Sequence, residues 1–242
     1  MGPSSDPLRS VAVYGATGRT GKEVVKWAIQ RGLRVNAACV RDPVKGKNLL
    51  GTHENLTILK GDLANAEDVA AGLVLGGGEG EEEGVVVDAV LCHTGGPMNA
   101  KAYQPKDMML AFVKKLTAAM RAKGVERVLF QAGAFSPPPG EQLSGMTSCM
   151  ATVLVPVFGI GPMVKDNTSV IEYLSSECSD LQWIVTRPGR LYHSDKAPTD
   201  KPMCAGKPGT SLPFADLARF SLDAASEGKY LKQCVCPAYG EE

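Results

Sequence analysis

The chain has 242 residues, 26 basic and 26 acidic side chains and three histidines, for a formal charge of zero. At about 150 residues per domain this length fits one large α/β domain, 1–242, and a hydrophobic fraction of 44% supplies its core. Neutrality excludes a general nucleic-acid binder and a polybasic membrane anchor, both of which need a cationic surface; no metal site is expected from so few histidines.

Apolar runs alternate with helix-like stretches from the start. Val11–Tyr14 reads as a strand, and Thr20–Gln30 as a helix stopped by Gly32. Val35–Val40 is a second strand, Pro43–Leu50 a short helix and Leu56–Leu59 a third strand. Asn65 starts a helix, with Asp68 in a capping-box-like position three residues on. Val85–Cys92 is a fourth strand, Lys106–Lys123 a long helix closed by Gly124, and Val128–Phe130 a fifth strand. Asn167–Ser176 reads as helix, Trp183–Val185 as strand and Phe214–Ala225 as helix; a short strand at Cys234–Cys236 closes the sheet. Continuously apolar strands alternating with helices imply a parallel sheet covered on both faces, a doubly wound α/β fold. Residues 8–131 are expected to form the sheet core, 132–213 loops with a helix and a sixth strand at its carboxyl side, and 214–242 the terminal helix and strand.

Two segments interrupt the rhythm. Gly76–Gly84 (GGGEGEEEG) is glycine-rich and acidic, a loop that cannot pack or an acidic docking patch. Ser136–Gly161 carries Pro137-Pro138-Pro139 and then an apolar stretch from Met150 to Ile160, beside the carboxyl ends of the strands. Ligands of open α/β sheets bind at that edge, so the segment is either a substrate cover or a packed insertion.

No apolar run approaches the roughly 20 residues needed to span a bilayer. Met1–Pro7 carry neither an apolar core nor Arg-rich amphipathic spacing, so no leader is expected in the chain as given. The seven cysteines are odd in number and several sit in apolar runs, which suits a reducing compartment, cytosol or organelle stroma. Cys234 and Cys236 form a C-x-C without the second pair that zinc requires.

The strongest chemical signal is Gly15-Ala16-Thr17-Gly18-Arg19-Thr20-Gly21, between the first strand and the first helix. Gly15 would permit a tight turn, Gly18 the approach of backbone to a pyrophosphate, and Gly21 close helix–strand packing. Amides at the helix start then face the phosphates, where the helix dipole favours negative charge. An acid at the end of strand two would favour a free ribose 2′-hydroxyl, but here Arg41 holds that position and Arg19 could reach the same side. Two guanidiniums suit a 2′-phosphate, so NADP(H) is expected over NAD(H). Residues 19–47 hold eight basic against two acidic side chains, a local excess hidden by the neutral total. Asp62, before Leu63, could contact adenine or simply cap the next helix, and His93-Thr94-Gly95-Gly96 follow strand four on the ribose and nicotinamide side.

With these residues in view the chain resembles the atypical short-chain dehydrogenase/reductase superfamily, and within it the NmrA-like and biliverdin reductase B/flavin reductase group. The resemblance rests on GATGRTG (15–21), VRDP (40–43), GDL (61–63), DAVL (88–91), GVERVLF (124–130), TRPG (186–189) and FADLARF (214–220), in the family's order. It implies an NADP-binding Rossmann fold with about seven strands and reductase chemistry on flat aromatic acceptors such as flavins, quinones or bilins. The family's Y-x-x-x-K would lie on the helix before strand six, where Val164-Lys165-Asp166-Asn167-Thr168 has no tyrosine. Tyr192 and Lys196 have the spacing but fall after strand six, in a context that discourages a helix. In the bilin/flavin reductase pattern a serine follows strand five and a histidine follows the proline after strand six; those places hold Gly133 and Arg190.

Hydride transfer to a flavin or quinone needs little enzymatic acid, whereas ketone reduction needs a donor near the oxygen. The pocket candidates are His93, Phe135, Pro188, Arg190, Tyr192 and His193. Arg190 would bind an acidic acceptor or form a structural ion pair; His193 and Tyr192 are the weak candidates for a proton donor; Phe135 is a stacking surface or core. The expected function is an NADPH-dependent reductase of a small planar acceptor. A non-catalytic NADP(H)-sensing or scaffold protein with a protein partner is the alternative, with an isomerase or epimerase using tightly held cofactor behind it.

Overall fold

The computed structural model describes residues 8–76, 84–95, 105–143, 145–194, 199, 201–207 and 210–240. The elements run β1 (Ser10–Tyr14), α1 (Arg19–Gln30), β2 (Arg34–Val40), α2 (Pro43–Leu50), β3 (Leu56–Lys60), α3 (Ala66–Ala71), β4 (Ala89–Cys92), α4 (Met108–Lys123) and β5 (Arg127–Gln131). They continue through α5 (Gly145–Val157), α6 (Gly161–Glu177), β6 (Gln182–Thr186), β7 (Leu191–Tyr192), β8 (Met203–Gly206), β9 (Leu212–Pro213), α7 (Phe214–Glu227) and β10 (Gln233–Tyr239). The main sheet has eight strands in the order β3-β2-β1-β4-β5-β6-β10-β8, and β7 and β9 pair separately. All main-sheet pairings are parallel except β8 on β10. The doubly wound fold expected from the apolar runs is therefore present, with a last strand that turns back along the edge.

Strand alternation assigns each apolar residue to one of two layers. Tyr14, Cys92, Phe130 and Val185 face Phe112, Leu116 and Met120 of α4 and Val170, Ile171 and Leu174 of α6. Val11, Val13, Ala89 and Leu91 face Val24, Val25 and Ala28 of α1 and Ala218, Leu222 and Ala225 of α7. Leu129 and Ile184 extend the second layer onto Phe220 and Ala224 of α7. The chain leaves β1 to either side, toward β2 and, later, toward β4, the reversal beside which open α/β sheets bind their ligands at the carboxyl ends of the strands.

Several expected boundaries move. The fourth strand begins at Ala89, not Val85, because residues 85–87 bond back to the end of α3: Leu75 donates to the Val85 carbonyl at 2.8 Å and Val87 to that of Leu73 at 3.0 Å. The acidic loop between them lies, at 77–83, outside the described residues. The third helix is capped by Asn65, whose Oδ1 accepts from Glu67 and Asp68. The capping box is not completed, since Asp68 accepts from the Asp62 amide instead. The helix expected at Asn167 starts at Gly161, with Pro162 in its first turn. The apolar stretch from Met150 is helix α5, in which no residue is buried. Among the described residues no helix is long and apolar enough to cross a membrane.

Candidate cofactor and acceptor site

The loop after β1 is shaped by its glycines. Gly15 has φ +80°, which L side chains adopt rarely, and a Cβ there would lie 2.6 Å from the His93 carbonyl oxygen. A Cβ on Gly21 would sit 2.1 Å from the Gly15 carbonyl oxygen, so α1 can press on the loop only with glycine there. Gly18 donates to the Gly15 carbonyl at 2.9 Å and closes the turn. No side chain caps α1, and its first turn carries no acid. The first-turn amides of a helix have no intrahelical acceptor, so this terminus is open to an anion. Thr17 and Arg19 stand exposed around it, and Thr20 is buried.

At the β2 end a bulge between Ala37 and Val40 turns the chain, with Cys39 at φ 54°. Arg41 emerges exposed. Asp42, which could have opposed it, is engaged as the cap of α2 and accepts from the Lys45 amide at 3.0 Å. Asp62 does not cap the following helix as its position suggested; it accepts from Ala64 at 2.8 Å, beside a half-buried Leu63. The Arg19 guanidinium lies 5.0 Å from the ring centroid of Phe214, toward α7.

A polar row, buried at His93 and Thr186 and half-buried at Gln131, crosses the ends of the central strands. Gln131 of β5 is in register with Thr186 of β6, and His93 stands one step beyond the Cys92–Phe130 pair. His93 Nδ1 lies 2.8 Å from Gln131 Oε1, an oxygen that only accepts, so Nδ1 carries the proton. Burial holds the imidazole down at about 4, hence neutral. His93 Nε2 and Thr186 Oγ1 are buried without a hydrogen-bond partner. Thr94 donates to the Met109 sulfur at 3.3 Å. Gly95 is exposed, and a Cβ there would meet nothing within 4 Å; Gly96 lies outside the described residues.

The β5–β6 end of the candidate site is organised by a residue whose partners lie far from it in the chain. Arg187, 4% exposed at the end of β6, donates through Nε to the Ser136 carbonyl at 2.5 Å and through a terminal nitrogen to that of Ala134 at 3.2 Å. It fastens the β5 loop to β6, aided by Ala134 donating to the carbonyl of buried Pro188 at 3.0 Å. Phe135 between them is half-buried. Tyr192 lies in strand β7 rather than on a helix, 41% exposed, and Lys196 is outside the described residues. Arg190 is exposed, with its carbonyl accepting from Leu212. His193 is exposed and tilts against Phe214, ring centroids 5.0 Å apart. On α6, Asp166 is 2% exposed and caps α4, accepting from Met109 at 2.8 Å and Leu110 at 3.0 Å.

Gln131, Thr186, Arg187 and Phe214 are the neighbours that sequence spacing did not reveal. Strand alternation would have put Gln131 and Thr186 on one face, and Arg187 stood inside the TRPG motif without an assigned role. The cysteines are all free; burial pushes the Cys39 thiol up to about 12 and the Cys234 thiol up to about 11, so both stay protonated. Among the described residues no group of three or more His, Cys, Asp or Glu side chains could hold a metal.

Comparison with known proteins accords with this geometry. A chloroplastic protein of Arabidopsis thaliana of uncharacterised role is 26% identical over 183 residues, 76% of this chain and 59% of that protein, so the chain spans about three-fifths of its length. A short-chain dehydrogenase/reductase of Veillonella parvula in complex with NADP superposes with a TM-score of 0.66 at 13% identity, covering 96% of this chain and 94% of that one. An anaerobilin reductase of Escherichia coli O157:H7 superposes with a TM-score of 0.68 at 17% identity over 96% and 98%. At such identities these two structures speak for the fold. The uncapped α1 terminus and the glycine cradle fit a dinucleotide, and a family model described as NAD(P)H-binding matches residues 15–227. The chain is a member of that NAD(P)H-binding family.

Proposed function

We propose that the protein is an NADPH-dependent reductase that passes hydride to a planar aromatic acceptor of the flavin, quinone or bilin kind. The observation that carries this reading is the state of α6. Where a reductase of simple ketones would carry a proton-donating tyrosine, Asp166 is locked onto the α4 backbone, and Tyr192 stands in a strand elsewhere. An acceptor that protonates readily from water fits a site without a positioned acid. When bound, the nicotinamide supplies the hydride. The chain's own groups bind and orient: the α1 amides take the pyrophosphate, Arg41 the 2′-phosphate, and the polar row at His93, Thr94 and Gln131 lines the ribose and nicotinamide end. Arg187 holds the loop that borders the acceptor, and charge-free α5 lies in the segment between β5 and α6, at the carboxyl edge of the sheet, where it can shed water from an apolar ligand. The NADP-bound Veillonella structure and the bilin-reducing Escherichia coli structure support the cofactor and acceptor class by analogy.

The test is NADPH oxidation with FMN, riboflavin and a benzoquinone as acceptors. Turnover with any of them supports the reading, and tight NADPH binding without turnover over this panel overturns it. Arg41→Asp should weaken NADPH binding by about tenfold or more and leave NADH binding nearly unchanged. Equal losses for the two cofactors would remove Arg41 from the 2′-phosphate. The non-catalytic reading keeps one specific support, the exposed row Met146, Met150, Val153 and Val157 along α5; it requires equal affinity for NADP+ and NADPH and a stable protein partner. We place the protein in a reducing compartment, organelle stroma included, a choice supported by the chloroplastic relative.

A further inference from the structure

We infer that Phe214 is the stacking platform for the planar acceptor and that Arg19 covers it until the cofactor's phosphates claim that guanidinium. The inference rests on the reductase reading and adds to it which ring receives the acceptor and in what order the ligands bind.

Phe214 is the first residue of α7, and α7 packs along α1, so its ring stands beside the phosphate loop. Its face carries the Arg19 guanidinium at 5.0 Å, and the His193 ring lies 5.0 Å away at 55°. Phe214 as a residue is only 6% exposed, while Arg19 and His193 are both exposed. The ring face that carries Arg19 is covered by a solvent-exposed side chain, which a small rearrangement can lift off.

Arg19 is also the first residue of α1, directly at the uncapped turn. A phosphate held by the open amides therefore sits next to this side chain. A charge-assisted hydrogen bond from guanidinium to phosphate is stronger than an exposed cation–π contact, so bound cofactor draws Arg19 off the ring. The freed face then offers a flat aromatic ligand an offset-stacked seat with the His193 edge beside it. Phe214 replaces Phe135 as the stacking ring, and cofactor binds before acceptor.

The experiment places 4-fluorophenylalanine at position 214 of the otherwise unchanged chain and follows its ¹⁹F resonance, with NADP+ binding measured in parallel by calorimetry. Saturating NADP+ should shift the resonance, and FMN should shift it further only when NADP+ is present. In Arg19→Gln the resonance should start near its NADP+-shifted position and respond to FMN without cofactor. Phe214→Leu should raise the KM for FMN about tenfold while NADP+ affinity holds. Calorimetric NADP+ binding with an unmoved resonance overturns the inference and leaves the reductase reading standing. A resonance that FMN moves equally with and without NADP+ overturns the binding order. Failure of NADP+ to bind at all overturns both.

Discussion

At the β1–α1 end of the cleft the working groups are backbone, whereas at the β5–β6 end they are side chains drawn from distant segments. Gly15 to Gly21 is a single run whose turn, amides and helix start come from the same seven residues. The β5–β6 end needs Arg187 to reach Ala134 and Ser136 and His93 to lean on Gln131. A site made of local backbone tolerates almost no change in residue size but is insensitive to pH. A site made of buried side chains tolerates modest reshaping and carries titratable groups, so the two ends should fail differently.

The largest effect is expected at the backbone end. Gly21→Ala places a Cβ 2.1 Å from the Gly15 carbonyl oxygen, and α1 must move to admit it. The expected cost is about 3 kcal/mol of stability, together with loss of NADPH binding, read by denaturant unfolding and calorimetry. Unchanged NADPH affinity would break the comparison, since it would mean that the loop geometry does not define the cofactor end. Next comes Arg187→Met at the other end. It keeps the apolar stem but leaves the Ser136 and Ala134 carbonyls unpaired, at a cost of about 2–3 kcal/mol. NADPH affinity should hold, and acceptor KM should rise. Equal damage to both ligands would mean that the two ends are mechanically one.

The smallest effect is a pH response. His93 sits at about 4 in the fold against an ordinary 6.5, so the unfolded chain binds more protons between those values. Stability from this group is full above about 6.5, falls as pH drops toward 4, and is lost below it. Between pH 7.5 and pH 5 the loss attributable to His93 is about 2 kcal/mol. His93→Gln should flatten that part of the stability profile, as measured by urea unfolding at each pH. A profile unchanged by the substitution would mean that the imidazole is free to charge in place.

These differences also explain what could be read in advance. The phosphate loop, the Arg41 strand end and the order of the apolar strands were legible because each depends on neighbours within a few residues. The resemblance to the atypical short-chain dehydrogenase/reductases, drawn from the same local motifs, is borne out by the NAD(P)H-binding family match. Helix α5 was seen only as an apolar stretch: it has no charged face, and none of its residues is buried to mark a period. Asp62 was placed at the helix cap because it stands close in sequence, but Asn65 takes the first-turn amides and leaves Asp62 to Ala64. Nothing in the local run of Arg19 shows that Phe214, 195 residues on, arrives 5.0 Å from its guanidinium.

Sequence alone determined the parallel sheet, the glycine-shaped start of α1 and the residue that meets the second strand's end, because strand alternation, glycine conformation and helix termini are short-range properties. Only the tertiary structure decided that Arg187 ties β6 to the β5 loop and that Arg19 rests on Phe214. Those contacts join residues far apart in the chain that the folding of the sheet and its covering helices brings together, and their partners have no signature in local spacing.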